Sequence, residues 1–244
     1  MNTITFIPAR GGSKSIPKKN IKELGGKPLI FYTIEASQKC GLRTIVNTDS
    51  SEIGELVESI GVEVMMRPSN LAQDKTSMFE VLKSEIFKIE PLPDLVLLLQ
   101  PTSPFRETIH IKTAIAYLTE NLDEYDSVIS VEKVPEKYNP AQMIVSDNDQ
   151  KRMVVGKIKS WFKKPKLILS GIPISKRITR RQDFPETWLP TGSIYLFKTS
   201  NLKKGSIYGD KILLMETSGE ININTQEDWD EAENKLLTNN LKNE

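Results

Sequence analysis

The 244-residue chain reads as an α/β protein, with a mostly parallel sheet covered by helices on both faces. Two features predict this. Short apolar runs of strand length alternate with amphipathic helical patterns through the first half, and strand, helix, strand, helix in that order needs the crossovers of a parallel sheet. The alternation then stops near Val134, and a stretch richer in Pro, Lys and turn residues continues to about Pro185. That break predicts a Rossmann-like domain over residues 1–133 and 186–244, interrupted by a small inserted subdomain at residues 134–185.

Thr3–Ala9 (TITFIPA) is the first buried strand. Pro28 suits the first turn of a helix running to about Cys40, and Gly41 can end it. Arg43–Asn47 (RTIVN) is the next strand. Ile53, Leu56, Val57 and Ile60 then recur at i, i+3, i+4 and i+7, with Gly61 placed to stop the helix. Phe79, Leu82, Ile86 and Ile89 give a sparser helical stripe. Leu95–Leu99 (LVLLL) is a third strand, and Ile111, Ala114, Ile115 and Leu118 mark the helix after it. Ser127–Val131 (SVISV) and Ser193–Phe197 (SIYLF) complete the strands. Thr225 and Asp228 have the spacing of a capping box that opens a last helix, with Trp229, Ala232 and Leu236 on its core face. The polar tail from Thr238 should fray.

Composition removes several classes of function. With 33 basic against 32 acidic side chains the net charge is +1, which fits neither a basic nucleic-acid coat nor an acidic disordered tail. Lone Cys40 excludes an intrachain disulfide framework, and one His with one Cys offers little for a zinc cluster. No apolar run approaches the roughly 20 residues of a membrane helix. The start, MNTITFIPARGG, lacks a charged-then-apolar leader, so the expected compartment is the reducing cytoplasm. A Ser–His–Asp hydrolase stays open only through His110, which lies among aliphatic residues in a helical pattern. Lys151–Lys166 holds seven basic residues and no acidic one. It reads as a solvated hairpin or as a surface for self-association. Trp161 and Phe162 within it suggest a single-strand nucleic-acid platform, but the near-neutral whole favours a hairpin packed on a partner subunit. Neither nucleic acid nor membrane is expected as a partner.

In an open parallel sheet, ligands gather beyond the carboxyl ends of the strands. Three strands end in chemistry there: Arg10-Gly11-Gly12-Ser13-Lys14, Thr48-Asp49, and Gln100-Pro101-Thr102-Ser103-Pro104. Arg10–Asn20 (RGGSKSIPKKN) carries Arg10, Lys14, Lys18 and Lys19 with no acid. Paired glycines let a backbone approach a ligand closely, and clustered cations compensate a polyphosphate. The run is neither a Walker A loop nor a dinucleotide fingerprint. On spacing alone it is an anion-binding loop or an ordinary basic turn, and Lys18 is its bystander. Asp49 reads equally as the cap of the following helix. Gln100 at a strand end could serve backbone groups, Arg67 before Pro68 could be a surface arginine, and Trp188 and Tyr195 read as core.

The segments IPARGGSKSIPKKNI, GKPLI, VNTDS, MRPSNLAQD, LLLQPTSPFR and RRQDFPETWLPTGSIY occur in this order. Together, from Phe6 to about Glu233, they resemble the cytidylyltransferases that activate sialic acids and related nonulosonic acids. The resemblance implies a sheet domain with a dimerisation subdomain that reaches the neighbouring subunit's active site, hence a homodimer. It implies that Arg10, Gly11, Ser13, Lys14, Lys19 and Asn20 grip a nucleotide triphosphate. Arg67 and the turn from Asp74 to Ser77 match the wall that reads cytosine. Gln100 matches a contact to the acidic sugar, and Arg181 a residue offered toward that sugar from the subdomain. The implied reaction joins CTP and an acidic nine-carbon 2-keto sugar, giving the CMP-sugar, used for a surface glycan, and pyrophosphate. The anomeric hydroxyl attacks the α-phosphorus, Arg10 and Lys19 act catalytically on the phosphate charge, and Mg²⁺ is the implied cofactor. A metal-bound hydroxide or an already deprotonated sugar hydroxyl would replace a side-chain base. A Kdo-type transferase and a non-catalytic nucleotide-binding relative are the rivals.

Two departures stand out. Where relatives place an Asp-Ile-Asp-Thr type run to hold Mg²⁺, this chain has Ile221-Asn222-Ile223-Asn224-Thr225. A carboxamide oxygen brings no charge to a cation that favours carboxylates, phosphates and water. Either the triphosphate and water hold the metal while Asn222 and Asn224 orient it, or Glu220, on the same face of a strand, supplies the charge, or the chain is an inactive or retuned relative. Where relatives often have Arg-Pro-Asn-Gly, this chain has Leu189-Pro190-Thr191-Gly192. The lost cation and amide suggest a legionaminic-type acid rather than N-acetylneuraminate.

Overall fold

Side chains of a strand alternate between two faces, and in β1 (Thr3–Pro8) both faces are buried. This is the signature of a sheet covered on both sides. The computed structural model describes residues 1–140 and 180–241, with residues 145–146, 167–169 and 172–173. After β1 come the short strands β2 (Glu23–Leu24) and β3 (Lys27–Pro28), α1 (Leu29–Gln38), β4 (Arg43–Thr48), α2 (Ser51–Glu58) and β5 (Glu63–Met66). Next are α3 (Met78–Glu85), β6 (Leu95–Leu98), α4 (Thr108–Glu120) and β7 (Ser127–Lys133). The short strands β8 (Val145–Ser146), β9 (Leu167–Leu169) and β10 (Ile172–Pro173) precede β11 (Trp188–Lys198), β12 (Ile212–Glu216) and α5 (Gln226–Leu241).

The seven-stranded sheet has the order β12-β7-β11-β6-β1-β4-β5. β1 pairs in parallel with β4 on one side and β6 on the other. β5 extends the sheet in parallel from β4, and β12 is parallel to β7. β11 alone is seen to run antiparallel, against β6. The chain moves from β1 outward to β4 and β5, then returns to place β6 on the other flank of β1. That reversal opens a crevice at the carboxyl ends of β1 and β6, where such sheets bind ligands.

Alternate residues supply the two cores. Ile4, Phe6, Ile45, Val96 and Leu98 pack with Val81, Leu82 and Ile86 of α3 and the 3₁₀ turn after it. Ile7, Val46, Leu95 and Leu97 pack with Ile30 and Ile34 of α1, Ile53 and Val57 of α2, and Ile111, Ala114 and Leu118 of α4. Helices therefore cover both faces. A third cluster joins Ile16, Leu24, Leu29, Ile221 and Ile223 to Trp229 and Ala232 of α5. The β2–β3 hairpin beneath it turns on Gly25 and Gly26, whose φ angles of 59° and 77° are those of a tight primed turn.

Some local expectations shift. Ile60 lies beyond the end of α2 and is 41% exposed. The Phe79 stripe divides into α3 and a 3₁₀ turn at Ile86–Lys88. Thr225 and Asp228 cap α5 reciprocally: the Asp228 N–H donates to Thr225 Oγ1 at 3.2 Å, and the Thr225 N–H to Asp228 Oδ2 at 2.8 Å. The helix runs on through Thr238 to Leu241 rather than fraying. β5, β12 and the β2–β3 hairpin have no counterpart in the sequence reading. β12, for instance, is an edge strand whose apolar run Ile212–Met215 alternates between exposed and half-buried positions, so the run is not the mark of a buried strand.

The chain forms two compact units, Met1–Val131 with Pro190–Glu244, and Glu132–Leu189. In the second, β10, β9 and β8 form an antiparallel sheet, Lys133 pairs with Glu186 at 2.7 Å, and Asn139 Nδ2 donates to the Pro185 carbonyl at 3.0 Å. The basic run Lys151–Lys166, with Trp161 and Phe162, lies outside the described residues. Among the described residues, no helix is long and apolar enough to cross a membrane.

Candidate active site

The glycine loop is held by its neighbours at three points. The Gly11 N–H donates to Asp49 Oδ1 at 2.9 Å, Asn20 Nδ2 donates to the Arg10 carbonyl at 3.0 Å, and Ile16 is buried in the third cluster. Gly11 is needed for closeness: a Cβ there would lie 2.9 Å from Ser50 Cβ. Asp49 does not cap α2. Ser50 does, accepting from the Ile53 N–H at 3.4 Å, which leaves the Asp49 carboxylate to brace the loop.

Beyond the loop lies a cleft of about 500 Å³, within the range of small-molecule sites. Arg10, Gly12, Ser13, Lys14, Lys19 and Asn20 line it on the loop side. Arg67, Leu71, Asp74 and Met78 supply further wall, as do Gln100, Thr102 and Asn224. Asp74 joins Arg10 at 3.0 Å and Lys14 at 2.5 Å, and the hydrogen bond from Lys14, then that from Arg10, holds its carboxyl below the usual range. Lys19 Nζ donates to the Ile223 carbonyl at 2.8 Å. Burial first, and then the Arg10 charge, lower the Lys19 ammonium below the ordinary lysine value, against the pull of Asp228. Lys18 pairs instead with Glu52 at 2.7 Å.

Arg67 is no surface arginine. It is 7% exposed, and Nη2 donates to the Asn47 carbonyl at 2.9 Å. Burial lowers its pKa, while Asp49 and Glu85 oppose the shift. The Gln100 side of the cleft rests on Arg106, which sequence reasoning did not single out. Arg106 Nη2 donates to the Gln100 carbonyl at 2.9 Å, Nε to the Ser193 carbonyl at 2.6 Å, and Nη1 to Thr33 Oγ1 at 3.2 Å. Its signal was an arginine closing the QPTSPFR run. Gly192, with φ of 79°, stands where a Cβ would lie 2.6 Å from Asn222 Nδ2 and 4.0 Å from Gln100 Oε1.

Residues 4–203 match the family model described as cytidylyltransferase. The chain belongs to this family. It is 31% identical over 236 residues to the N-acylneuraminate cytidylyltransferase of Streptococcus agalactiae serotype V, a match covering 94% of this chain and 52% of the relative. The chain thus spans about half the length of that relative. The CMP-N,N'-diacetyllegionaminic acid synthase of Legionella pneumophila is 32% identical over 241 residues, covering 94% of each chain. Among solved structures, a CMP:2-keto-3-deoxy-manno-octonic acid synthetase complexed with CTP superposes with a TM-score of 0.71, covering 98% of this chain and all of that one. At 17% identity that likeness carries the fold alone.

Some residues that the resemblance singled out do not line the cleft. Ser77 is the N-cap of α3, accepting from the Glu80 N–H at 3.2 Å and donating to Glu80 Oε2 at 2.8 Å. Arg181 opens a 3₁₀ turn, Arg181–Asp183, in the second unit, and the expected contact to the sugar rests on a side chain outside the described residues. Asn224 lines the cleft, whereas Asn222 does not. Residues 220–224 are not a strand, and the Glu220 side chain is 5% exposed, 3.7 Å from His110 Nδ1. That histidine sits on α4 with Nδ1 buried and without a hydrogen bond. Asn222, Asn224 and Glu220 thus do not fit together as a cation-binding set, and no group of three His, Cys, Asp or Glu residues among the described residues could hold a metal ion.

Proposed function

We propose that the protein transfers CMP from CTP to a nonulosonic acid of sialic or legionaminic type, releasing pyrophosphate. One observation carries this reading. The cleft at the β1–β6 switch point brings Arg10, Lys14 and Lys19 together with Gln100, in a chain aligned over 94% of its length with a legionaminic acid synthase. The Leu189-Pro190-Thr191-Gly192 run favours a legionaminic-type acid.

The chemistry is positioning plus charge compensation. Gly12, Ser13 and Lys14 lie on the loop that receives the triphosphate, whose charge meets Arg10, Lys14 and Lys19. Because those cations are held in place before the ligand arrives, little reorganisation is needed as charge grows on the departing pyrophosphate. The anomeric oxygen of the sugar bonds to the α-phosphorus as the bond to the bridging oxygen of the β-phosphate breaks, and the hydroxyl proton passes to solvent. Arg67 shapes the cytosine wall. Gln100, set by Arg106, meets the sugar, and Arg181 offers its carboxylate a cation from a partner subunit, which makes the working form a homodimer through residues 134–185. Mg²⁺ carried on the triphosphate supplies further charge neutralisation. A lone cysteine suits work in the cytoplasm.

A product assay tests this. With CTP and Mg²⁺, legionaminic acid should give a CMP-sugar and pyrophosphate faster than N-acetylneuraminic, pseudaminic or Kdo acids do. Turnover of Kdo alone, or a preference for UTP or GTP, overturns the substrate assignment. CTP binding without product from any acid overturns the enzyme.

A further inference from the structure

We infer that this cleft has no divalent-cation site of its own: a divalent cation enters and leaves only on the triphosphate, and fixed side-chain cations meet the rest of the nucleotide's charge. The inference rests on the proposed function only for where the triphosphate lies.

Three oxygen-bearing side chains around Ile221–Thr225 could serve a cation, and they face three different ways. Asn222 Nδ2 points to the Thr191 carbonyl at 3.4 Å, and Oδ1 is buried without a partner. Exchanging the two amide atoms would set two acceptors against each other, so the contact fixes which atom faces Thr191. Asn222 Oδ1 is buried, and Asn222 does not line the cleft. Asn224 does line the cleft, but it is neutral, and its Nδ2 donates to the Asn222 carbonyl at 3.3 Å. The Glu220 carboxylate is buried beside His110, near enough to Arg106 to oppose the burial-driven fall of the guanidinium pKa.

The other carboxylates nearby are already engaged. Asp228 Oδ2 accepts the N–H groups of Asn224 and Thr225 at 2.7 and 2.8 Å. Asp49 holds the Gly11 N–H, and Asp74 holds Arg10 and Lys14. The same run already carries a positive charge, since the Lys19 ammonium sits on the Ile223 carbonyl. A small cation that demands several hard oxygens in octahedral array meets from the side chains of this run only the neutral Asn224 carboxamide on the cleft, with an ammonium beside it.

The test uses the full-length protein and Mn²⁺, whose free-ion signal is read by electron paramagnetic resonance. Without nucleotide, an equimolar amount of protein should leave that signal unchanged. Asn224→Asp, which puts a carboxylate on the cleft wall, should still leave it unchanged, because Glu220 and Asn222 do not line the cleft. CTP should bind the unaltered protein in the presence of a chelator, with affinity within about tenfold of that with Mg²⁺. Capture of Mn²⁺ by the unaltered protein without nucleotide, lost in Asn224→Ala, overturns the inference. Capture of Mn²⁺ by folded Asn224→Asp without nucleotide overturns the claim that the neighbouring side chains do not converge on the cleft. Failure of CTP to bind with or without metal strikes the proposed function instead, while the nucleotide-free Mn²⁺ result still reads the cation site.

Discussion

The guanidinium of Arg106 fixes the backbone of Gln100: Nη2 donates to the Gln100 carbonyl at 2.9 Å while Nε holds the Ser193 carbonyl at 2.6 Å. One buried side chain thereby ties the end of β6 to β11, next to Gly192. Burial lowers its pKa to about 10, and the buried Glu220 carboxylate acts against that fall. Arg106→Lys keeps the charge but loses the planar fork. Charge-assisted bonds of this kind are worth about 1.5–3 kcal/mol, so the KM for the sugar acid should rise by about 10- to 100-fold while CTP affinity stays within about twofold. Steady-state kinetics with each substrate varied in turn reads the split. Arg106→Met should also unfold earlier, by about 1–3 kcal/mol, because it removes the donor that the Gln100 and Ser193 carbonyls share. Equal loss toward both substrates would mean that Arg106 only supports the fold.

The interior strands and the helices of both faces were legible because each lies in a core that demands apolar residues at a fixed period. β12 and β5 were not, although Ile212–Met215 and Val64–Met66 are apolar runs, because a short apolar run does not by itself name a strand and these edge strands bury theirs only in part. The basic loop and Gln100 were legible from their places at strand ends. The switch of Asp49 from helix cap to loop brace was not, since Asp-Ser-Ser offers two good caps and only the approach of Gly11 decides between them. Nor could spacing along Glu220, Asn222 and Asn224 show that they diverge, because the argument from a shared face assumed a strand that the chain does not form there.

The close approach of Gly11 to Ser50 makes a compensating pair testable. Gly11→Ala would place its Cβ 2.9 Å from Ser50 Cβ, nearer than such atoms normally come, so either the loop or the start of α2 must shift. CTP affinity should fall by about tenfold or more, as in other over-packed sites. Ser50→Gly removes the opposing Cβ, and glycine is tolerated at an N-cap. The double variant should therefore bind CTP better than Gly11→Ala alone. Simple additivity of the two losses, measured by calorimetric titration, would show that the contact does not set the loop.

In the proposed reaction Lys19 sets an alkaline limit. It serves the phosphates only while protonated, and burial with the Arg10 charge lowers its pKa from the ordinary lysine value. CTP capture should decline as pH rises through that lowered value, earlier than for an exposed lysine. Bound triphosphate favours the ammonium and moves the limit upward, so the alkaline limb of kcat/KM should precede that of kcat. Lys19→Arg keeps a charge that does not titrate in this range and should remove the limb from kcat/KM. Its persistence in that variant would assign the titration to another group.

In the proposed reaction Asp74 competes with the phosphates for their cations. Its carboxylate bonds both Arg10 and Lys14, so a triphosphate bound there must displace it or accept its repulsion. Asp74→Asn keeps the shape and removes the competing charge. The groups are exposed, so the effect should be modest: inorganic tripolyphosphate should bind about two- to fivefold more tightly, with the gain shrinking at high salt. CTP separates this role from base recognition. If Asp74 only guards the cations, CTP and tripolyphosphate gain together. If the carboxylate also accepts a hydrogen bond from cytosine, CTP loses affinity while tripolyphosphate gains it. Weaker tripolyphosphate binding by the variant would mean that the carboxylate holds Arg10 and Lys14 in their working positions rather than competing with the phosphate for them.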